Sequence, residues 1–325
     1  MFNMGFRDII GHKRQKAFLT SLLERERLPH ALLFQGIEGV GKKKVALEFV
    51  KYLFCKEGDA CGRCKACIRV EHSTHPDMVV ISSEKGIGIE QSRFITKEIS
   101  QHPFEAKERF IIIDNVETMT KEAMNALLKT LEEPPPFNHF ILITSQERDV
   151  PLTIRSRCMR LAFGLIPREE LKGYFKERLG LDDAPAEQLA YISEGSIGNG
   201  LFWIEEDNLE MRRMIAEMMT GKKRGFVTAT YISERIAKGR RETRIFLSLL
   251  ISILRDMCLI NESGEQSMLI NKDLKGLLEE RRFDYRRISH AMKWITEAGR
   301  QLRSNANRWL VLENMMFHLM VGARA

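Results

Sequence analysis

Apolar and polar positions along the chain predict three zones of structure. In the first zone, residues 1–163, short apolar runs rich in β-branched residues alternate with stretches of helical periodicity. This alternation is typical of parallel strands joined by crossover helices, so we predict an α/β domain built on a parallel sheet. The predicted strands are residues 31–35, 78–82, 110–114 and 139–144.

The two other zones carry only helical periodicity. Residues 164–207 are too few to fold alone, and we predict that they form a small helical lid. Residues 208–325 are predicted to form an all-α C-terminal domain. The helical patterns of these zones lie at 169–179, 186–194, 245–258, 291–302 and 309–321.

Length and composition agree with a globular chain of several domains. The 325 residues exceed one ordinary core, and 44% hydrophobic with 29% charged residues is an ordinary balance. The longest apolar run, residues 245–254, is about half of a bilayer span. Residues 1–14 lack the apolar core of a signal peptide. We therefore expect a cytoplasmic protein with no membrane partner.

The positive charge lies in the C-terminal zone. The formal net charge is +7, and residues 208–325 hold 22 Lys and Arg against 13 Asp and Glu. A basic domain is compatible with nucleic-acid binding. Acidic residues are interspersed among the basic ones, however, which favours a solvated helical surface or one that pairs with an acidic partner subunit.

A phosphate-binding loop follows the first predicted strand and is complete except at its last position. Gly36, Gly41 and Lys42 meet the pattern G-x-x-x-x-G-K-[ST], with Gly39 between them, but Lys43 stands where Ser or Thr is required. The glycines let backbone N–H groups close around phosphate oxygens, the lysine reaches the terminal phosphates, and the hydroxyl holds Mg²⁺. A lysine at position 43 offers no oxygen to a metal. The retained glycines and Lys42 therefore either shape the strand-to-helix turn or still bind a phosphate of ATP or ADP.

Four of the six cysteines form a cluster with metal-ligand spacing. Cys55, Cys61, Cys64 and Cys67 follow the pattern C-x5-C-x2-C-x2-C, and two-residue gaps suit two thiolates on one ion. Four thiolates complete the tetrahedral coordination of Zn²⁺, so we predict one structural zinc ion. The two competing interpretations are a disulfide, which is rare in cytosolic proteins, and an iron–sulfur cluster, whose common cysteine spacings differ. The nearby His75 is expected on the surface or in a turn.

A second feature of nucleotide motors follows the third predicted strand. The apolar residues 111–113 lead into Asp114, where a carboxylate holds Mg²⁺ in such motors. Hydrolysing members of this class place a glutamate next, which activates water, whereas Asn115 cannot accept a proton. An Asp that closes a strand is also a common turn residue, and the order of the two features along the chain favours the first interpretation.

Together with three further segments, these features resemble the clamp-loader AAA+ family of bacterial DNA polymerase III. The segments are Asn-Ala-Leu-Leu-Lys-Thr-Leu-Glu-Glu-Pro-Pro at 125–135, Thr-Ile-Arg-Ser-Arg-Cys at 153–158 and His-Ala-Leu-Leu-Phe at 30–34. The resemblance covers about residues 1–207. It implies an AAA+ P-loop domain with the cysteine insert as a zinc module, a small lid, and a C-terminal helical collar that joins subunits.

The resemblance also implies roles for single residues. Arg157 matches the arginine of the family's Ser-Arg-Cys motif, which reaches the ATP of a neighbouring subunit. Thr144 and Ser145 fall where the family senses phosphate at a strand end. Gly198 stands where ATP-hydrolysing members have an arginine that contacts the nucleotide. Without the resemblance, Arg157 would be interpreted as part of a surface ion pair.

Lys43, Asn115 and Gly198 together predict a subunit that does not hydrolyse ATP and supplies Arg157 to a neighbour. By resemblance, its partners are other clamp-loader subunits of the gamma/tau ATPase and delta types. The sliding clamp and primed DNA would be met through the assembled complex. Two alternatives remain: an active gamma-type clamp-loader ATPase, and a stand-alone zinc-dependent DNA-binding protein, which the cysteines and the basic C-terminal zone suggest.

Overall fold

The computed structural model describes residues 6–25, 27–82, 86–222, 225–262, 268–280, 284–304 and 306–321. The chain groups into two compact units, the first formed by Met1–Tyr174 with Gly195–Gly198 and the second by Phe175–Glu194 with Asn199–Ala325. The predicted domain limits at residues 1 and 325 lie outside the described residues, and the division into three domains stays a prediction.

The first unit is built on one parallel sheet. Its described strands are β1 (Ala31–Gln35), β2 (Met78–Ile81), β3 (Arg109–Asp114), β4 (Asn138–Thr144) and β5 (Met159–Ala162). They pair in parallel in the order β2-β3-β4-β1-β5, which requires crossover connections between strands. The predicted α/β class with a parallel P-loop sheet is therefore confirmed.

Helices supply the crossovers and cover the sheet. Those of the first unit are α1 (Lys13–Glu24), α2 (Lys42–Phe54), α3 (Lys65–Glu71), α4 (Ile89–Ile99), α5 (Lys121–Glu132) and α6 (Leu152–Arg155). A continuous hydrophobic cluster joins Leu33, Ile111 and Leu142 of the strands to Ile95 of α4 and Leu127 of α5. Neighbouring strand residues such as those at 110 and 112 are equally buried on the other face. Burial of both faces explains why the inner strands are near-continuous apolar runs.

Strand β5 is absent from the predicted strands. It pairs with β1 at the edge of the sheet, and Leu161 is the buried one among its four residues. An edge strand with a single buried side chain has no apolar run to mark it in the sequence. Because β5 follows the Thr-Ile-Arg-Ser-Arg-Cys segment at once, its position fixes that of Arg157.

Beyond β5, the described residues form helices and loops without a strand. These helices are α7 (Arg168–Leu179), α8 (Asp183–Ile192), α9 (Ile197–Trp203), α10 (Glu206–Thr220), α11 (Phe226–Ala237), α12 (Arg240–Asn261), α13 (Lys275–Glu279), α14 (Tyr285–Arg303) and α15 (Arg308–Val321). The helical character predicted for both C-terminal zones is confirmed. Among the described helices, none has both the length and the apolar character that crossing a bilayer requires.

Candidate functional site

The phosphate-binding loop connects β1 to α2 at the carboxyl edge of the sheet. Gly36, Gly39 and Gly41 have φ angles of +156°, +75° and +107°, which side-chain-bearing residues rarely adopt. Space is also restricted, since a Cβ on Gly36 would lie 2.4 Å from the carbonyl oxygen of Phe163. The glycines therefore form a tight turn that delivers the chain to the N-terminus of α2, an end that presents backbone N–H groups to anions.

Lys42 is folded back onto this loop. Its side-chain Nζ donates to the carbonyl oxygens of Gly36 at 2.6 Å and Ile37 at 2.8 Å. The residue is only 6% exposed. Hydrogen bonds from an ammonium are stronger than neutral ones, so Lys42 stabilises the shape of the loop from inside it.

The segment Gly195–Gly198 is seated on the same loop. The Ser196 hydroxyl donates to the carbonyl oxygen of Glu38 at 2.9 Å, and the Gly198 N–H donates to that of Gly39 at 2.9 Å. A Cβ on Gly39 would lie 2.5 Å from the Ser196 hydroxyl oxygen. Gly198 therefore contributes a backbone contact at the position for which the resemblance implies an arginine in ATP-hydrolysing members.

Lys43 forms an ion pair with Asp114. The ammonium of Lys43, in the first turn of α2, lies 3.3 Å from a carboxylate oxygen of Asp114 at the end of β3. Motors of this class hold Mg²⁺ with this carboxylate and with a hydroxyl at the position of Lys43. Mg²⁺ takes oxygen ligands, and an ammonium supplies none. The residues present therefore do not fit the metal.

The strand-end polar residues contact one another. Ser145, directly after β4, donates from its N–H and its hydroxyl to a carboxylate oxygen of Glu117, at 3.0 Å and 2.8 Å. Thr144 is fully buried, and its hydroxyl oxygen accepts from the N–H of Gln146 at 3.0 Å. The predicted phosphate-sensing position is thus engaged by Glu117, which the sequence analysis did not single out.

His12 is a further residue beside the loop that the sequence analysis missed. Its Nε2 lies 2.9 Å from the carbonyl oxygen of Val40, within the loop, and its ring packs edge-on against Phe163 at 5.0 Å. Burial lowers the pKa of His12, which favours a neutral ring that donates to Val40. Nothing in the local sequence signals this contact, because 28 residues separate the two partners.

Arg157 lies at the amino ends of the parallel strands, whereas the loop lies at their carboxyl ends. It precedes β5, whose first residue, Met159, pairs with Leu32 near the start of β1. The loop begins after β1, at Gly36. The guanidinium of Arg157 donates to a carboxylate oxygen of Glu132 at 2.6 Å, and 35% of its side chain is exposed.

The four clustered cysteines converge on one point between α2 and α3. Their sulfur atoms all lie within 4.8 Å of one another, with Cys61 to Cys67 and Cys55 to Cys64 both at 4.0 Å. Four sulfurs bound to one zinc at 2.3 Å would be about 3.8 Å apart, whereas a disulfide requires about 2.05 Å. The donor set therefore fits a tetrahedral metal ion and not a disulfide.

Backbone N–H groups point at the same sulfurs. The N–H of Cys61 donates to the sulfur of Cys55 at 3.5 Å, and that of Cys64 donates to the sulfur of Cys61 at 3.4 Å. Burial opposes ionisation of the Cys55 thiol, but backbone donors outweigh it and lower its pKa to about 6, whereas burial raises the pKa of the Cys67 thiol. Such donors stabilise thiolates, which are the form that binds a metal.

His75 is buried and so does not lie on the surface, but it does lie in a turn, in which its carbonyl oxygen accepts from the N–H of Met78 at 3.0 Å. Its ring stacks on Phe54, the last residue of α2, with centroids 4.3 Å apart. The backbone N–H of Asp77 donates to its Nδ1 at 3.1 Å. His75 therefore braces the end of α2 just before Cys55, and burial lowers its pKa.

The structure therefore gathers the predicted residues into three places. Most lie at the carboxyl edge of the sheet, and this set comprises Gly36, Gly39, Gly41, Lys42, Asp114 and Ser145. Arg157 lies apart from them at the other edge. The four cysteines form a separate cluster beside α3.

A family model described as "DNA polymerase III, delta subunit" matches residues 11–166, which include the loop, the cysteine cluster, Asp114 and Arg157. The delta-prime subunit of DNA polymerase III from Bacillus subtilis (strain 168) is 28% identical over 325 residues, covering 95% of this chain and 96% of that protein. The gamma subunit from Buchnera aphidicola subsp. Schizaphis graminum is 30% identical over 249 residues, covering 72% of this chain and 68% of that protein.

For three other relatives of the gamma or tau type, the match covers only 58%, 30% and 37% of the relative's length. Among solved structures, a gamma subunit-related protein of DNA polymerase III from Thermotoga maritima is 21% identical. That likeness covers 94% of this chain and 99% of the other, with a TM-score of 0.46.

Proposed function

Because the chain belongs to the family of DNA polymerase III gamma, tau and delta-prime subunits, we propose that it is a delta-prime-type subunit of the clamp loader. In this role it does not hydrolyse ATP itself but completes the ATPase site of a neighbouring subunit. The similarity to a delta-prime subunit extends over almost all of both chains, which supports this type over the gamma type.

The observation that carries the proposal is the position of Arg157. Strand β5 begins opposite Leu32, so about four strand residues, or roughly 13 Å, separate the level of Met159 from that of Gly36. Arg157 lies still further from the loop, on the other side of Met159. An arginine in this place is too far from the loop to contact a phosphate that its own chain binds. A subunit that docks at this end of the strands brings its own bound phosphate within reach of Arg157.

The chemistry expected of Arg157 is charge stabilisation. A guanidinium placed at a transferred phosphoryl group offsets negative charge that develops in the transition state. The residue is partly exposed and held by Glu132 and by the carbonyl oxygen of Thr153, at 2.6 Å and 2.9 Å. These bonds keep the side chain ordered at the surface until a neighbour's phosphate competes for it.

Besides the hydroxyl that Lys43 replaces, two other groups that ATP hydrolysis uses are missing near the loop. Asn115 cannot serve as a general base, and loss of such a base alone typically slows a reaction by about 10²–10⁴-fold. Gly198 offers a backbone N–H to Gly39 in place of an arginine side chain. Turnover at this loop is therefore proposed to be absent.

The remaining parts of the role follow from the family. We propose zinc as the ion held by Cys55, Cys61, Cys64 and Cys67, with a structural purpose, since four protein ligands leave no open position for substrate. The partners proposed are gamma/tau-type ATPase and delta subunits, the sliding clamp, and primer–template DNA through the assembled complex in the cytoplasm. The helical, basic C-terminal part is proposed as the collar that joins subunits.

The role is tested by ATP turnover of the purified chain alone and after reconstitution with gamma-type and delta subunits. We expect no turnover above background for the chain alone, and a gain in DNA-stimulated ATPase when it joins the complex. Turnover by the isolated chain that Lys42→Ala abolishes would instead establish an active gamma-type ATPase.

The DNA-binding alternative is separated by a salt titration. Phosphate contacts make the affinity of a protein for DNA fall steeply with salt concentration. A clamp-loader subunit is expected to bind primed DNA weakly when alone and tightly only within the complex. Tight, strongly salt-dependent binding by the isolated chain would favour a stand-alone DNA-binding protein.

A further inference from the structure

The ion pair between Lys43 and Asp114 places a cation where a nucleotide motor holds its metal. The ammonium lies 3.3 Å from the Asp114 carboxylate oxygen, and the two side chains are 41% and 18% exposed. The carboxylate therefore already has a positive partner supplied by the chain itself.

A divalent ion at this position would meet two obstacles. It would lose the hydroxyl ligand that the motif normally supplies, because an ammonium has three donors and no acceptor. It would also lie within a few ångströms of a like charge, and like charges repel strongly at such distances even near a protein surface.

The loop is already shaped by contacts inside the chain. Lys42 donates to two of its carbonyl oxygens, and Gly198 donates to that of Gly39. Together with the hydrogen bond from Ser196 to Glu38, these bonds hold the loop in its turn from within.

We infer that Lys43 takes the place of the magnesium ion, so that the loop excludes Mg²⁺ and nucleotide affinity of this chain does not rise when Mg²⁺ is added. The inference deepens the proposed non-hydrolysing role and rests on it. It assigns to Lys43 the electrostatic part of the metal's work, which is neutralisation of Asp114, and leaves the metal's coordination chemistry without a substitute.

The test compares the wild type with Lys43→Thr and Lys43→Met. The threonine restores the hydroxyl ligand, whereas the methionine removes the charge without adding an oxygen, which makes it the matched control. All three should fold, because a partly exposed ion pair contributes little to stability. Binding of ADP and of ATP is measured by titration calorimetry in EDTA and in excess Mg²⁺, and Mn²⁺ bound in the presence of ADP is measured by electron paramagnetic resonance.

For the wild type, we expect no gain in nucleotide affinity from Mg²⁺ and no bound Mn²⁺. For Lys43→Met, which removes the like charge but adds no oxygen ligand, we expect a gain from Mg²⁺ that is smaller than that of Lys43→Thr. For Lys43→Thr, we expect affinity to rise about tenfold or more on addition of Mg²⁺, a difference that one well-placed metal ligand can supply. No measurable binding by the wild type in either buffer, with metal-dependent binding gained by Lys43→Thr, supports the inference equally.

Two results would overturn it: a wild type that binds nucleotide more tightly in Mg²⁺, or a Lys43→Thr variant that gains no more affinity from Mg²⁺ than the wild type does. The outcome is distinguishable from a failure of the proposed function. The contribution of Arg157 is measured at a neighbour's site, and it does not depend on how this chain's own loop responds to magnesium.

Discussion

Single residues that depart from the motor pattern have structural contacts of their own. Lys43 pairs with Asp114 at 3.3 Å, and the Gly198 N–H donates to the carbonyl oxygen of Gly39 at 2.9 Å. Asn115 has a left-handed φ of +59°, a conformation that asparagine tolerates better than most residues. Lys43 and Gly198 therefore make contacts of their own where the motor group is missing, and asparagine suits the left-handed backbone at position 115.

The buried ring of His12 predicts that the stability of the folded chain depends on pH. Burial lowers its pKa, so the folded chain holds the neutral ring, while the unfolded chain binds a proton near pH ~6.5. The stability that neutral His12 contributes is present above that pH and is lost as the pH falls towards the folded-state pKa. His12→Asn keeps a residue that tolerates φ of +54° but loses the bond to Val40.

We expect His12→Asn to lower the free energy of unfolding by about 1 kcal/mol at about pH 8. The difference in the free energy of unfolding between variant and wild type should become smaller at about pH 5.5. At that pH the unfolded wild type gains stability by binding a proton on His12, and the variant has no such group. Urea unfolding of both proteins at the two pH values measures this difference. A difference that does not change with pH would contradict the account of His12.

The sequence predicted the part of the site that lies in one continuous segment, but not the residues that the fold brings to it from elsewhere in the chain. Gly36, Gly41 and Lys42 lie within one motif, so their spacing alone revealed the loop. His12 contacts Val40 of the loop, and Glu117 contacts Ser145 at the end of β4; 28 residues separate the two members of each pair. Their roles depend on which strands lie side by side, which no local pattern encodes.

Among the elements, the cysteine insert between α2 and β2 was predictable in its ligands but not in its support. The spacing of the four cysteines indicated one ion, and their sulfurs do converge within 4.8 Å. The buried stack of His75 on Phe54 was not visible, since histidine near a cysteine cluster is equally compatible with an exposed turn. The insert is thus anchored to α2 by an apolar contact as well as by its predicted metal site.

The four-cysteine cluster predicts the metal content of the chain. We expect one zinc per chain by elemental analysis, and we expect Cys64→Ser to lose it, because three thiolates no longer complete the tetrahedral set. Cys258→Ser on α12 is the matched control and should retain the zinc. The Cys64 variant should also melt at lower temperature, since the binding energy of a structural metal contributes to folding.

A chain that contains iron, or no metal, would disprove the zinc assignment. Retention of zinc by Cys64→Ser would show that the sulfur at this position is not a ligand. Loss of zinc from the Cys258 control would mean that misfolding, and not ligand removal, explains the result.

The strands show why some elements can be predicted and others cannot. Strand β1 has exactly the extent expected from its apolar run, Ala31–Gln35, because an inner strand is buried on both faces. Strand β5 exposes three of its four residues and carries no such run. Its place became apparent only from its pairing with β1.

The first unit carries two features at opposite ends of the strands of one sheet. The carboxyl edge carries the loop, Asp114 and Lys43, closed by contacts within the chain. The region that precedes β5 carries Arg157, ordered by Glu132 and partly exposed. This arrangement suits a subunit whose own loop is structural and whose arginine acts on a neighbour.

DNA-stimulated ATP hydrolysis by the reconstituted complex with Arg157→Ala decides whether this chain supplies an arginine to a neighbour's ATPase site. The matched control is Arg160→Ala, an exposed arginine of β5 whose guanidinium lies 3.4 Å from Glu147. Assembly, checked by gel filtration, should be unchanged in both. We expect Arg157→Ala to slow hydrolysis at the neighbouring site by about 10³-fold or more, so that the complex loses that site's share of turnover, while Arg160→Ala retains wild-type turnover. An intact Arg157→Ala complex that hydrolyses ATP at the wild-type rate would show that Arg157 does not act at the neighbour's site.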